Sequence, residues 1–353
     1  MADEPGSWTV TYELSAKSDV SINPKRLFHG PAALVAPNGD WLVCYQDSKT
    51  HAGQDSVISQ VRSRNEGRTW KPEGIVFDQR SQKYYGRNPA YGVTSDGLIV
   101  LVVQRWRPPP SNVKFPLKAQ RIHGSVYLIS EDNGKTYSNQ GLVDPEVPLR
   151  HQGTTDVILH HQNTLMMTAM SVNEPPTGIT LYTTQDPRKG WQFAGWIFRA
   201  DQLPVKEVYY GSMVRRGDGS LLAQCVYFTR NFQSVSDDNG KTWSTPRELK
   251  DLRIRNNPDL DYAGDVLVVH GRGAGHNSMV VYFSPDEGRT WGRRIVLDYH
   301  GFRGGGGYSA SLRTKKGDLF IVFSTDAGPN TAINGGKPDI RGVLLSDVGI
   351  RRK

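Results

Sequence analysis

The sequence predicts an all-β fold, a six-bladed β-propeller of four-stranded antiparallel blades that is closed by the N-terminal strand. Three observations predict it. An eight-residue pattern occurs four times, a longer pattern occurs six times out of phase with it, and the 353 residues include 37 Gly and 21 Pro. So many turn-forming residues favour short strands over helices. The spacing of the longer pattern, about 50 residues, is typical of propeller blades.

The shorter pattern, Ser-x-Asp/Asn-x-Gly-x-Thr-aromatic, predicts a tight turn between two strands. Its copies are SRNEGRTW from Ser63, SEDNGKTY from Ser130, SDDNGKTW from Ser236 and SPDEGRTW from Ser284. Asn, Asp and Gly tolerate the positive φ of tight hairpins, and the closing aromatic residue can pack between layers. We therefore expect acidic residues of this pattern, such as Asp238, to hold turns and to take no part in catalysis.

The longer pattern is a strand, a turn and a strongly apolar strand, and it marks six units. The units begin at His29, Arg87, Thr154, Tyr209, Asp259 and Tyr308. Five of them run into a copy of the turn pattern, if TTQDPRKGW from Thr183 is counted as a degenerate copy. Each of these five units therefore supplies the four strands of one blade.

The sixth unit supplies only three strands, predicted at Tyr308–Arg313, Asp318–Thr325 and Ile340–Ser346. The missing strand is WTVTYELS from Trp8, which would close the ring and leave no free sheet edge between the first and last blades. Because no linker or change of composition interrupts the chain, we predict one propeller domain over residues 1–353.

The sequence argues against a membrane-spanning protein and against a protein that binds a metal or another cofactor. No segment reaches the ~18 apolar residues that a membrane-spanning helix needs. The first ten residues, MADEPGSWTV, contain no signal peptide in the chain as given. The expected localisation is therefore cytoplasmic, or secreted or periplasmic if a signal peptide has been removed. Cys44 and Cys225 lie in apolar runs and predict buried free thiols. The histidines show no ligand spacing, so neither a metal nor another cofactor is expected.

The charge favours an anionic partner. The chain holds 43 Lys and Arg against 35 Asp and Glu, a net charge of +8, and a basic surface attracts acidic sugars or nucleic acid. However, the basic residues are scattered. GRGAGH from Gly271 opens no helix, and the single RGGGGYS from Arg303 is a weak indication of RNA binding. We therefore expect no nucleic-acid partner.

The functional face is predicted where the strand-1 entrances and the strand 2–3 loops meet over the central channel, because all six blades converge there. The strand-1 entrances contribute His29, Arg87, Asn88, His151, Tyr209, Tyr210 and Tyr308. The strand 2–3 loops contribute Asp47, His51, Asp55, Arg105, Arg107, His270, Arg272, His276 and Asp326.

With these repeats the whole chain resembles the sialidase superfamily, the six-bladed propellers that carry Asp-box (BNR) repeats. The resemblance implies a tyrosine nucleophile paired with a glutamate, an aspartate acid/base, and three arginines that bind the substrate carboxylate. Tyr308, nine residues before Gly317 in YSASLRTKKG, matches the tyrosine. Asp55 in HAGQDSVIS matches the aspartate by its place, and Asp47 is its rival.

Other positions depart from the family pattern. His29 stands at the position of the first arginine, and Tyr210 at that of the glutamate. The arginine nearest to the position of the family's second arginine is Arg230. The position of the third arginine falls at Gly275–His276. Arginines bind a carboxylate with charge-assisted, often bidentate hydrogen bonds, which a mostly neutral histidine does not replace. The chain is therefore identified as a divergent member without a clean arginine triad.

The resemblance implies an exo-acting glycoside hydrolase on a terminal, acidic sugar. The expected catalytic residues are Tyr308, Asp55 and His29, and a glycine run, Gly304–Gly307, would let a ligand approach Tyr308. The expected substrate-binding residues are Asp47, Arg87, His151, Tyr210, Arg230, His276 and Arg303. Two alternatives stay open: a polysaccharide or uronate lyase that uses His and Tyr in the same pocket, and a non-catalytic propeller that binds carbohydrate or protein. The oligomeric state is left open.

Overall fold

The computed structural model of the chain is all-β. It describes residues 8–23, 25–50, 53–107, 122–146, 154–171, 176–274, 278–299, 307–325 and 339–352. Within these ranges the helical segments are three short 3₁₀ turns at Arg80–Gln82, Pro187–Lys189 and Ala200–Gln202. None of the helices in the described ranges is long and apolar enough to cross a membrane.

The strands form six blades. Two strands, β1 (Trp8–Leu14) and β2 (Ser18–Ser21), precede the first blade and pair with the last strand of the chain. Blades 1 to 3 consist of β3 (Leu27–Val35), β4 (Trp41–Ser48), β5 (Val57–Ser63) and β6 (Lys71–Phe77); β7 (Tyr85–Val93), β8 (Ile99–Trp106), β9 (Ile122–Ser130) and β10 (Ser138–Leu142); β11 (Thr154–His161), β12 (Thr164–Ser171), β13 (Gly178–Thr184) and β14 (Gln192–Arg199). Blades 4 to 6 consist of β15 (Tyr209–Arg215), β16 (Leu221–Tyr227), β17 (Arg230–Ser236) and β18 (Arg247–Leu249); β19 (Ile254–Ala263), β20 (Val266–Gly273), β21 (Ser278–Ser284) and β22 (Gly292–Tyr299); β23 (Ser309–Arg313), β24 (Leu319–Ser324) and β25 (Ile340–Arg352), with β1.

The ring closes through the N-terminal strand, as predicted. β1 pairs antiparallel with β25, from Trp8 opposite Arg352 to Leu14 opposite Leu345. β2, which the sequence did not predict, pairs with the first part of the long β25. Every strand of blade 6 therefore has a partner, and an unpaired sheet edge is avoided where the two ends of the chain meet.

Both faces of each blade are buried, which explains the apolar runs of the second strands. In β8, Ile99, Leu101 and Val103 pack against blade 1, whereas Val100 and Val102 pack against blade 3. Successive side chains of a strand point to opposite sides, so a strand between two neighbours must be apolar at every position. Such clusters fill all six interfaces between blades, including the one between blades 6 and 1.

The repeated turn is a hydrogen-bonded staple, as predicted. In the third copy, the Ser236 hydroxyl accepts from the Gly240 N–H at 2.8 Å, and Asp238 accepts from the Thr242 N–H at 2.8 Å and its hydroxyl at 2.6 Å. These bonds, that from the Thr242 hydroxyl foremost, lower the pKa of Asp238 to about 2. In the first copy Asn65 accepts the equivalent backbone bond at 2.9 Å. The hydrogen-bonding capacity of the Asp238 carboxylate is thus used within the turn.

The staples are also tied to the preceding blade. The Gln233 side chain in blade 4 donates to the Gly288 carbonyl at 2.9 Å and accepts from Trp291 Nε1 at 3.0 Å, and both partners belong to the staple of blade 5. Gln60 and Tyr137 make the same aromatic-to-glutamine bond between blades 1 and 2, at 2.8 Å. The glycine and the aromatic residue of the pattern therefore carry inter-blade hydrogen bonds.

Candidate active site

The inner strands share a backbone irregularity at the end that faces the channel. The strand pairing shifts register near the start of β3, β7, β11, β15 and β19. Positive φ angles mark four of these places: Gly30 (55°), Asn88 (40°), Tyr210 (51°) and Asn257 (52°). A β-bulge re-aims the side chains beside it and is frequent next to active sites. Tyr210 is the outlier, because a bulky residue rarely occupies this region.

Three of the predicted site residues meet at the centre of the channel. The hydroxyls of Tyr308 in blade 6 and Tyr210 in blade 4 form a hydrogen bond of 2.6 Å. The ring of His29 in blade 1 lies edge-on to Tyr308, with 4.4 Å between ring centroids. Blades 1 and 4 lie opposite each other in a ring of six, so this His29–Tyr308–Tyr210 trio spans the channel. Tyr210 therefore lies beside Tyr308, where the family resemblance implied the glutamate partner of the tyrosine.

A buried polar layer supports Tyr308 from behind. The hydroxyl of its neighbour Ser309 lies 2.9 Å from Nδ1 of His270, and the Ser309 carbonyl accepts from Asn257 Nδ2 at 3.3 Å. Nε2 of His270 lies 3.5 Å from a carboxylate oxygen of Asp259. Burial lowers the pKa of His270 to about 4, so the ring is neutral at pH 7. All four residues of the layer are buried, which makes it a support for Tyr308.

One expectation about blade 5 is corrected. His270 and Arg272 were expected in the strand 2–3 loop, but both lie inside β20 and are buried. Gly307, the one described residue of the glycine run before blade 6, packs against Arg272: a Cβ at position 307 would lie 3.0 Å from that of Arg272. The φ of Gly307 is also +82°, which favours glycine. The arginine side chain is thereby packed against the residue before Tyr308.

A second group of charges lies in blade 1, at the same end of the strands. Arg26 donates to Asp47 through Nε at 2.5 Å and to Asp55 through Nη1 at 2.7 Å. Asp55 also accepts from the Lys49 N–H at 3.1 Å, and Asp47 from the Ser59 hydroxyl at 2.9 Å. Partial burial tends to raise the pKa of Asp55, but the bonds from Lys49 and Arg26 outweigh it and lower the pKa. Sequence reasoning missed Arg26, although it stands three residues before His29 at a strand entrance.

Blade 2 presents several arginines at the end of β8. Arg87 donates to the Gln46 side chain at 3.4 Å and lies 5.8 Å from the centroid of Trp106. Arg105 and Arg107 stack over Tyr84 at 4.1 and 5.2 Å. Desolvation lowers the pKa of Arg105, but an arginine stays charged at pH 7. This is the part of the described functional face where guanidinium groups gather.

Among the remaining predicted residues, Arg230 is engaged by a carboxylate and a backbone carbonyl of its own surroundings. Arg230 donates to both carboxylate oxygens of Glu248, at 2.8 and 2.6 Å, and to the Pro204 carbonyl at 2.7 Å. Five residues predicted on this face lie outside the described residues: His51, His151, His276, Arg303 and Asp326. Across the described part of the chain, no three His, Cys, Asp or Glu side chains are grouped in a way that could hold a metal ion.

Comparison with known protein families shows the family to which the chain belongs. Residues 3–321 match the family described as BNR repeat-like domain. The chain belongs to this family. With its six blades and their repeated staples, this BNR repeat-like protein is a member of the sialidase superfamily, as the resemblance implied.

Individual relatives are distant. A sialidase of Paraclostridium sordellii is 24% identical over 290 residues, which are 78% of this chain and 59% of that protein. A protein of unknown function from Dyadobacter fermentans has a TM-score of 0.76 at 17% identity, covering 97% of this chain and all of that one. An α-L-arabinanase of Penicillium chrysogenum, solved with arabinobiose, has a TM-score of 0.66 at 14% identity, covering 95% and 98%. The structural similarities establish the fold alone.

Proposed function

We propose that this BNR repeat-like protein is an exo-acting glycoside hydrolase that removes a terminal acidic sugar, with Tyr308 as its nucleophile. The observation that carries the proposal is the 2.6 Å hydrogen bond between the hydroxyls of Tyr308 and Tyr210 at the channel centre, beside His29. A phenol approaches an anionic sugar without the repulsion that a carboxylate nucleophile would meet. The name of the Paraclostridium sordellii relative supports this class of substrate.

In the first step, the Tyr308 oxygen attacks the anomeric carbon and the bond to the leaving oxygen breaks. The phenolic proton passes to a base, a role that we assign to His29, and the leaving oxygen takes a proton from Asp55. In the second step, Asp55 takes a proton from water, the resulting hydroxide attacks the anomeric carbon, and the tyrosine is released, recovering its proton from His29. This is covalent catalysis with one acid/base residue acting twice.

The ion pair of Asp55 with Arg26 bears on this scheme. While Arg26 holds Asp55, its hydrogen bond and charge help to lower the pKa of the carboxyl group and so disfavour the protonated form that the acid role needs. A substrate carboxylate that takes over the Arg26 guanidinium would remove one cause of that lowering. Binding of an acidic sugar would in this way prepare Asp55 to act as the acid. The arginines of blade 2 and the net charge of +8 also favour an anionic ligand.

A lyase is the second candidate, because the trio pairs Tyr308 with a tyrosine and not with a carboxylate. A tyrosine base could remove the proton next to the carboxylate of a uronic acid, and the leaving group would then depart to give an unsaturated sugar. The two reactions differ in their products. Hydrolysis consumes water and gives a new reducing end, whereas elimination gives a product that absorbs in the ultraviolet.

The test is incubation with a panel of sialylated, uronic-acid and arabinose oligosaccharides, with both products measured. Tyr308→Phe keeps the ring and removes the hydroxyl, and we expect kcat on the active member to fall by about 10²-fold or more. Tyr282→Phe, a change at a tyrosine packed between blades 4 and 5, is the matched control and should leave kcat unchanged. Near-normal kcat in Tyr308→Phe would refute the assignment. Saturable binding without any product would make the protein a carbohydrate-binding propeller.

A further inference from the structure

The hairpin between β16 and β17 carries an exposed phenylalanine where a turn residue is expected. Tyr227 pairs with Arg230 across a two-residue loop of Phe228 and Thr229. Phe228 has a φ of +51° and is 58% exposed, the highest value among the exposed large hydrophobic residues of the described chain. Asn or Gly is preferred at such positions, since positive φ is unfavourable for residues with a bulky side chain. Neither turn chemistry nor burial therefore accounts for phenylalanine here.

Phe228 is the outer end of a series of rings that begins at the channel centre. The centroids of Tyr308 and Tyr210 are 5.6 Å apart, those of Tyr210 and Tyr209 6.2 Å, those of Tyr209 and Tyr227 6.3 Å, and those of Tyr227 and Phe228 4.7 Å. The register places Tyr209 opposite Val226, so the hairpin lies at the strand-1 entrance of blade 4. We call these five residues the aromatic track.

The middle of the track is packed, and the arginine beside its outer end is paired with a carboxylate. Tyr209 and Tyr227 pack against the core between blades 3 and 4. The nearest cation in the hairpin, Arg230, is bound by both carboxylate oxygens of Glu248. A surface of fixed aromatic rings without net charge suits the C–H face of a sugar ring and needs no anionic group.

We propose that the aromatic track is a subsite for the sugar residues that follow the terminal sugar in an oligosaccharide. The inference rests on the proposed function, because it places the terminal sugar at Tyr308. A chain that leaves this point along blade 4 meets Tyr209, Tyr227 and then Phe228. The continuity of the rings with the candidate active site argues for this occupant over a protein partner or a second copy of the chain.

The test is Phe228→Asn, with Phe193→Asn as the matched control at another exposed phenylalanine, on the outer strand β14. Two pairs of probes, 3′-sialyllactose with N-acetylneuraminic acid and arabinotriose with arabinose, are titrated by saturation-transfer NMR. The titrations use a Tyr308→Phe background, so that hydrolysis of the probes is slowed and the result does not depend on the role of that hydroxyl. Thermal unfolding of each variant is measured alongside.

We expect Phe228→Asn to raise the Kd of the bound oligosaccharide about three- to tenfold, and to change the Kd of the matching monosaccharide less than twofold. In this variant, saturation transfer from the protein to the non-terminal sugar rings of the oligosaccharide should be lost. The same substitution should raise Tm by about 1–3 °C, because Asn accepts the positive φ more readily. Phe193→Asn should change neither Kd.

Four results would overturn the inference: an equal change in the monosaccharide Kd, an unchanged oligosaccharide Kd, no rise in Tm, or a dimer that Phe228→Asn dissociates. An unchanged oligosaccharide Kd in a protein that hydrolyses the panel would refute the subsite alone. Absence of binding by both oligosaccharides, in a protein that also releases no product from the whole panel, would refute it together with the proposed function.

Discussion

His270 should make the folded protein lose stability as the pH falls from 7 towards 4. The ordinary pKa of histidine is 6.5, and burial lowers that of His270 to about 4. Between these values the unfolded chain binds a proton that the folded protein does not, so acid favours unfolding. Each pKa unit is worth about 1.4 kcal/mol, and the difference therefore amounts to about 3 kcal/mol. This contribution is lost as the pH falls below 6.5, and the loss is complete near pH 4.

The assay is urea unfolding at pH 7, 6, 5 and 4 for the wild type and His270→Gln, which has no titrating ring. The free energy of unfolding of the wild type should fall relative to that of His270→Gln by about 3 kcal/mol over this range. His160→Gln removes an exposed histidine at the opposite end of blade 3 and serves as the matched control. Its free energy of unfolding should follow that of the wild type at every pH.

An NMR titration of the His270 ring tests the cause directly. A pKa at or above 6.5 would refute the reasoning, since it would mean that Asp259, 3.5 Å away, keeps the proton on the ring in spite of burial. The free-energy difference between the wild type and His270→Gln would then be independent of pH, or would grow on acidification.

Two further predictions concern the staples. Asp238→Ala should lower Tm and leave turnover unchanged, because the carboxylate holds Thr242 in a turn at the end of the blade opposite to the candidate site; lost activity at an unchanged Tm would contradict the staple. Gln233→Leu should lower the free energy of unfolding by about 2–3 kcal/mol, because the Gly288 carbonyl and the Trp291 N–H lose a buried partner. Denaturant unfolding measures this loss, and a value below about 0.5 kcal/mol would show that water replaces the side chain.

The number of blades and the closure of the ring were predictable because they depend on short-range patterns. The alternation of turn residues with apolar runs predicted β1 at Trp8–Leu14 and the three strands of blade 6. β2 was missed, because its four residues, Ser18–Ser21, include a single apolar side chain and show no strand pattern, although they pair with the predicted beginning of β25. The prediction that residues 1–353 form one domain stays a prediction.

The residues at the strand entrances could be read from the sequence alone, since the side chains of a strand alternate between its two faces. Together with the resemblance to the sialidase superfamily, these positions were enough to select Tyr308, Tyr210 and His29. That these three residues meet is visible only in the folded chain, since Tyr210 and Tyr308 are 98 positions apart in the sequence and their hydroxyls come together beside the register shift at the start of β15. It also decided that Arg26 holds Asp55, because an ion pair between two loops depends on distances that no local pattern encodes.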